Sequence, residues 1–275
     1  MIRYLEFWKL QRPPFEAGND AEFFFESHAH GEALARLHYF AADGGMGMAV
    51  LTGEIGAGKT FLLHVLLNSL PTDLFSCVAI FTARGSFEDL LRQINARLRG
   101  EDASVATEDP LASFHRLVTD RVAARGRHLL VVLDETQFLD SDCLSALKCL
   151  TNPFDAGTPP VSILLAGQPE LRPRLQSLPH VHQRLGLAYH LSYLRREEVE
   201  PYIRHRLTVA GAARADIFDA GCADILYAFS KGCPRQINRI CKLAVDRACM
   251  LQQTTIAANM LQLIVADFEQ QLGRS

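Results

Sequence analysis

Along the first two thirds of the chain, apolar runs of about five to seven residues alternate with stretches of helical spacing. Residues 48–52, 75–82, 129–134 and 161–167 are nearly unbroken apolar runs and predict strands buried on both faces. Between them, 60–70, 87–98, 111–124 and 141–150 repeat their apolar positions at three- and four-residue intervals and predict helices. A fifth short strand is predicted at 188–191. Strands alternating with helices form βαβ units, so the expected core is a five-stranded parallel sheet sandwiched by helices. From Arg195 the pattern becomes helical only, over 195–210, 216–230, 234–252 and 259–272. Gly211, Gly232 and Thr254-Thr255 supply the turns, and Pro234 opens a helix. The expected division is an α/β core over 1–190 and a small helical domain over 191–275. Segments 100–110 and 155–160 carry loop signals.

Composition narrows the classes. Hydrophobic residues make up 48% and charged residues 21%, which excludes a disordered or fibrous chain. The formal net charge is −3, so nothing overall advertises nucleic acid or an acidic membrane. Seven scattered cysteines without a Cys-x-x-Cys pair read as buried reduced thiols, hence a cytoplasmic protein. Arg3 and Glu6 interrupt the start, so no signal peptide is expected. No apolar run approaches the ~20 residues of a membrane span, so no membrane insertion is expected.

Against that background one motif carries chemistry. Gly53-Glu54-Ile55-Gly56-Ala57-Gly58-Lys59-Thr60 fits the phosphate-loop pattern G-x-x-x-x-G-K-[ST], between a predicted strand and a predicted helix. The glycines let backbone N–H groups wrap phosphates at a helix N-terminus. Lys59 would supply positive charge to the β- and γ-phosphates, and the Thr60 hydroxyl would ligate Mg²⁺.

A second anchor follows 75 residues after Lys59, where the apolar strand Leu129-Leu130-Val131-Val132-Leu133 ends in Asp134-Glu135. A parallel strand would deliver both acids at the carboxyl edge of the sheet, beside the phosphate loop. Asp134 would hold Mg²⁺ through water, and Glu135 would orient and polarise the attacking water. A carboxylate directly after the Mg²⁺-associated acid argues for hydrolysis, and no guanine-reading Asn-Lys-x-Asp is present.

With these residues placed, the chain resembles the AAA+ ATPases, and within them the ExeA/GspA-like family of secretion and pilus-biogenesis ATPases. It is also similar to the TniB/TnsC-type ATPases that accompany transposases. The resemblance rests on Tyr4-Leu5-Glu6-Phe7-Trp8, Pro14-Phe15, Phe23-Phe24-Phe25, His30-Gly31-Glu32-Ala33-Leu34, Asp134-Glu135-Thr136-Gln137, Leu164-Leu165-Ala166-Gly167-Gln168-Pro169-Glu170-Leu171 and Gly232-Cys233-Pro234-Arg235-Gln236-Ile237-Asn238. It implies an AAA+ core followed by a helical lid, Mg²⁺-dependent ATP hydrolysis, and a homo-oligomeric ring or filament. It further implies that Gln168 is a polar sensor near the γ-phosphate, the alternative being a turn residue before Pro169. Arg235 matches a second sensor that reaches the phosphates from the lid, against a surface arginine at a helix start. Arg184 lies where the family has an arginine thought to complete a neighbour's site, against a solvated side chain. Here Leu187-Ala188 stand where the family often has a second basic residue.

Weaker candidates keep two readings each. Phe15, Phe23, Phe24 and Phe25 either wall the adenine or clamp the core. His28-x-His30 and His180-x-His182 lack further ligands at metal spacing and read as structural. Arg195, Arg196, Arg204 and Arg206, with Arg235, Arg239, Lys242 and Arg247, form either solvated faces or a nucleic-acid surface. The expected function is an accessory motor or switch for a secretion or pilus-type assembly system, working through a protein partner. The alternative is a DNA-associated ATPase that regulates or recruits a transposase, with duplex DNA as a further partner.

Overall fold

The computed structural model describes residues 3–100, 108–152 and 161–271. In chain order the elements are α1 (Arg3–Trp8), α2 (His28–Asp43), β1 (Met48–Gly53), α3 (Lys59–Ser69), β2 (Phe75–Ile80), α4 (Phe87–Arg99), α5 (Pro110–Arg121), β3 (His128–Leu133), α6 (Ser141–Leu147), β4 (Val161–Gly167), α7 (Leu171–Gln176), α8 (Pro179–His182), β5 (Leu185–Leu191), α9 (Arg196–Val209), α10 (Cys222–Ser230), α11 (Pro234–Met250) and α12 (Ala258–Gln271). They fall into two compact units. One comprises Glu32–Ile55 and Leu62–Leu191. The other comprises the chain up to Gly31, Gly56–Phe61, and the chain from Ser192.

The first unit is built on a parallel sheet in the order β2-β3-β4-β1-β5. Every residue of β1 and β4 is buried, which is what central parallel strands require and why their sequences show no alternation. The edge strand β5 alternates in exposure up to its buried end, Leu191. Val50, Val131, Ile163 and Leu165 share one buried cluster with Leu90 and Ile94 of α4, Phe114 of α5 and Leu144 of α6. Local signals set the helix ends. Ser86 and Asp89 form a reciprocal capping box at the start of α4, and Gly100 ends it in the left-handed region. Asp109 caps α5, with Pro110 in its first turn.

The second unit has its own core, centred on Leu207, Leu226, Ile237, Ile240, Ala244 and Leu261. Helix α1 is fastened to α11 by the Trp8 indole N–H, which donates to the Val245 carbonyl at 3.0 Å. The Arg206 guanidinium is buried. It donates to the carbonyls of Pro14 and Glu16 and lies 4.8 Å from the centre of the Phe23 ring. Phe15 and Phe23 are buried in this core, whereas Phe24 and Phe25 are half-buried.

Three expectations need adjusting. The helix predicted over 216–230 begins only at Cys222, because the preceding backbone pairs elsewhere. Phe218 bridges Ile256, the Asp219 N–H donates to the Ile256 carbonyl at 3.0 Å, and Gly221 takes φ 88°. The helix predicted over 141–150 is α-helical to Leu147 and then tightens into a 3₁₀ turn over Lys148–Thr151. The short fifth strand extends over Leu185–Leu191. Most of the predicted loop at 100–110, the whole of that at 155–160, and Leu272 lie outside the described residues.

Candidate nucleotide site

The sheet's strand order assembles the first half of the site. Strands β3, β4 and β1 are adjacent and parallel, so their carboxyl ends share one edge. β1 ends there at Gly53 and leads into Glu54 and Ile55. β3 delivers Asp134 and Glu135, and β4 delivers Gln168. Asp134 is fully buried. Its N–H donates to Ile80 and its carbonyl accepts from Ala83, which extends the ladder with β2. Its Oδ1 accepts from the Glu135 N–H at 2.8 Å. His64 of α3 stacks on Phe81, with centroids 4.1 Å apart. Burial lowers its pKa, and the Asp134 charge partly offsets the shift.

Glu135 is half-buried and has φ 57°, left-handed backbone that costs an ordinary residue roughly 1–2 kcal/mol. The turn that follows is fastened to the end of β4 by side chains. Thr136 Oγ1 donates to the Ala166 carbonyl at 2.8 Å. The Gln137 amide donates through Nε2 to Glu135 Oε2 and accepts through Oε1 from the Gln168 N–H at 3.2 Å. Arg174 of α7 donates to the carbonyls of Gln137 and Leu139 at 2.7 and 2.6 Å. A Cβ on Gly167 would come within 2.7 Å of Gln137 Oε1, so a glycine is needed for the amide to reach its place. Gln137 and Arg174 were not singled out from sequence as site residues. The available signal was a polar amide two residues after Glu135.

The second half of the motif is described within the helical unit. Gly56 has φ 83° and Gly58 φ 99°, conformations that turn successive N–H groups inward around an anion. Ala57 and Lys59 are buried, and Lys59 and Thr60 open the eleven-residue helix α3. His30 of α2 lies against this loop. Its Nε2 meets the Ala57 carbonyl at 2.9 Å and its Nδ1 meets Ser27 Oγ at 2.7 Å, which fits Nε2–H donating and Nδ1 accepting. Burial lowers the His30 pKa, against the Ala57 bond and the Glu198 charge. His30 therefore holds the loop as a neutral ring, a contact that spacing alone did not reveal. The start of α11 docks on the same loop. Arg235 N–H points to the Gly56 carbonyl at 3.4 Å, and a Cβ on Gly56 would come within 2.8 Å of Cys233 Sγ and 2.9 Å of Arg235 Cβ. The sequence-predicted Arg235 and the phosphate loop are thus neighbours within one unit.

Arg184 is placed differently. It is exposed and immediately precedes β5. Its carbonyl accepts from the Met48 N–H at 3.2 Å and its Nη2 donates to Asn152 Oδ1 at 2.9 Å. It therefore stands at the amino edge of the sheet, level with the start of β1. The length of β1 separates that edge from Gly53, about 17 Å at the strand rise. The structure does not bring Arg184 to Asp134, Glu135 and Gln168.

As for the donor set, the Thr60 hydroxyl and the Asp134 carboxylate are hard oxygen ligands of the kind Mg²⁺ takes. The left-handed glycines fit a phosphate chain.

Comparison with known proteins agrees with this geometry. Residues 42–175 match the family AAA_22, described as an AAA domain. General secretion pathway protein A of Aeromonas hydrophila is 36% identical over 250 residues, which is 89% of this chain and 45% of that protein. The chain thus spans less than half the length of this relative. Among solved structures, the ORC2 protein of Aeropyrum pernix in ADPNP–ADP complexes has a TM-score of 0.70 at 18% identity, covering 93% of this chain and 71% of that one. The ORC1 protein of the same organism in complex with DNA has a TM-score of 0.67 at 17% identity, covering 89% and 66%. Identities this low establish the fold alone. The chain has the AAA+ P-loop NTPase fold, matches an AAA domain over residues 42–175, and is similar along most of its length to General secretion pathway protein A.

Proposed function

We propose that the chain binds ATP with Mg²⁺ and hydrolyses it, as an accessory motor or switch for a secretion or pilus-type assembly system. The observation that carries this reading is the shared carboxyl edge of β1, β4 and β3. That edge emits the phosphate-loop motif, presents Gln168, and presents Asp134 and Glu135. The backbone of Gly53, Glu54, Ile55, Gly56, Ala57 and Gly58 wraps the phosphates, and Lys59 neutralises their charge. Thr60 and Asp134 hold Mg²⁺, which when bound offsets negative charge on the phosphates. Glu135 takes hydrogen-bond control of the attacking water, Gln168 orients water or phosphate, and Arg235 ties α11 to the nucleotide state. On this reading Arg184, exposed at the opposite edge, serves the nucleotide of a neighbouring subunit, and assembly becomes a condition of turnover.

The secretion role is supported by the 36% identity to General secretion pathway protein A. The transposition alternative leans on basic surfaces, and the side chains offered for them are largely engaged. Arg196 pairs with Asp224, Arg204 with Glu200 and Lys242 with Glu16. Arg206 is buried, and Arg239 lies over Phe268 at 4.4 Å. The test is calorimetric titration with ATP and Mg²⁺, followed by turnover assays with and without duplex DNA across salt. Tight ATP binding and turnover indifferent to DNA are expected. Salt-sensitive DNA binding that changes turnover would replace the secretion reading with the alternative.

A further inference from the structure

The Gln137 amide touches both the Glu135 carboxylate and the backbone that starts the Gln168 segment. Its orientation is fixed by chemistry. Only the NH₂ end can donate to a carboxylate, and only the carbonyl end can accept from the Gln168 N–H. Everything around it holds that orientation: Arg174 grips the Gln137 main-chain carbonyl, Thr136 bonds the end of β4, and Gly167 leaves room for Oε1. The charged or titratable groups on the elements packed here are Asp134 after β3, His64 on α3, Arg174 on α7, and Arg84 before α4, which lies over Phe138.

We propose that Gln137 is a positioning residue for hydrolysis. It fixes Glu135 through Oε2, leaves Oε1 as the oxygen that can accept from a water, and links the aim of that carboxylate to the position of Gln168. A carboxylate on a left-handed residue at a strand end has free side-chain torsions. One bond to a braced amide removes that freedom, and orientation of a reacting group is worth orders of magnitude in rate. The link runs in both directions. A displacement of the Gln168 N–H pulls on the Gln137 amide and so on Glu135. The residue at the end of β4 and the carboxylate at the end of β3 therefore move as one unit.

This inference rests on the reading of Glu135 as the residue that activates water, and the experiment separates the two. Wild type, Glu135→Gln, Gln137→Met, Gln137→Glu and the double variant Glu135→Gln/Gln137→Met are compared for ATP affinity and for turnover. Gln137→Met keeps the length and removes both hydrogen bonds, and about a tenfold to hundredfold loss of kcat is expected with affinity within about twofold of wild type. Gln137→Glu keeps the acceptor for Gln168 and puts a like charge against Glu135, so its kcat should be at least as low. In the Glu135→Gln background, Gln137→Met should add less than about a twofold loss, because its partner's role is already gone. Unchanged kcat in both single Gln137 variants, or losses that add fully in the double variant, would overturn the proposal. If Gln137→Met fails to bind ATP through misfolding, the near-isosteric Gln137→Glu decides the matter by the same measurements. Turnover undiminished by Glu135→Gln would instead remove the reading on which the proposal stands.

Discussion

The phosphate loop and the strand-end acids are held by different means. The loop's shape is a backbone property. Gly56 and Gly58 take left-handed conformations, and His30, Cys233 and Arg235 of the helical unit press against it. The acids at the end of β3 are fixed by side-chain bonds within the sheet unit, from Gln137 to Glu135 and from Gln168 to Gln137. Backbone cradles set affinity for a polyanion whatever the reaction, whereas an aimed carboxylate matters only when bonds are changing. Binding and hydrolysis should therefore be separable by mutation, each region failing in its own measurement.

The largest effect is expected at a third position, the amino edge of the sheet. Arg184→Ala should lower turnover by about 10³-fold, the lower range for loss of an arginine supplied to a neighbour, with ATP affinity nearly unchanged. Wild-type specific activity should rise with protein concentration, and mixing Arg184→Ala with Glu135→Gln should restore some activity. Concentration-independent activity with no rescue would return Arg184 to its bond with Asn152. Next, Glu135→Gln should cut turnover by about 10²-fold or more while ATP still binds, as loss of a general base predicts. Lys59→Ala should do the opposite. Removal of charge-assisted contacts to two phosphates should weaken ATP about 10²-fold in a calorimetric titration. Wild-type affinity in that variant would erase the contrast between the two regions.

The smallest effect concerns His30. His30→Ala leaves the buried Ala57 carbonyl without its donor, and ATP affinity should fall by up to about tenfold. Because the His30 pKa is lowered in the fold, the unfolded chain takes up the proton first as pH falls. The stability tied to the neutral ring is fully present above the ordinary value of 6.5 and is lost below it. Thermal melts from pH 8 to pH 5 should thus show less acid destabilisation in His30→Gln than in wild type. Equal slopes would mean that another histidine whose pKa burial lowers, such as the half-buried His128, carries the effect.

What was legible from sequence follows from which forces act locally. β1 and β4 were readable because strands buried on both faces admit only apolar residues. The motif from Gly53 to Thr60 was readable because its chemistry is contiguous. The 216–221 segment reads as helix in sequence because its apolar spacing is helical, while its backbone partner, Ile256, lies far along the chain. Gln137, Gly167 and Arg174 form a site feature only once β3 and β4 are neighbours, and no local pattern announces that adjacency. In sequence, His30 stands as one member of a His-x-His pair. Its contact with Ala57 joins residues 27 positions apart.

If Arg184 completes a neighbour's site as proposed, its placement opposite Glu135 along the sheet has a counting consequence. A subunit that offers its arginine from one edge and its carboxylate from the other is a tile with a donor face and an acceptor face. In an open row of n such tiles, one end lacks a donor for its nucleotide, so only n − 1 sites are complete. Closing the row into a ring completes the last one. Activity per subunit then becomes a ruler of assembly: half-maximal in a pair, near its limit in long rows, and stepping to the full value on closure. Under that proposal the number of active sites would be set by the number of junctions and not by the number of chains.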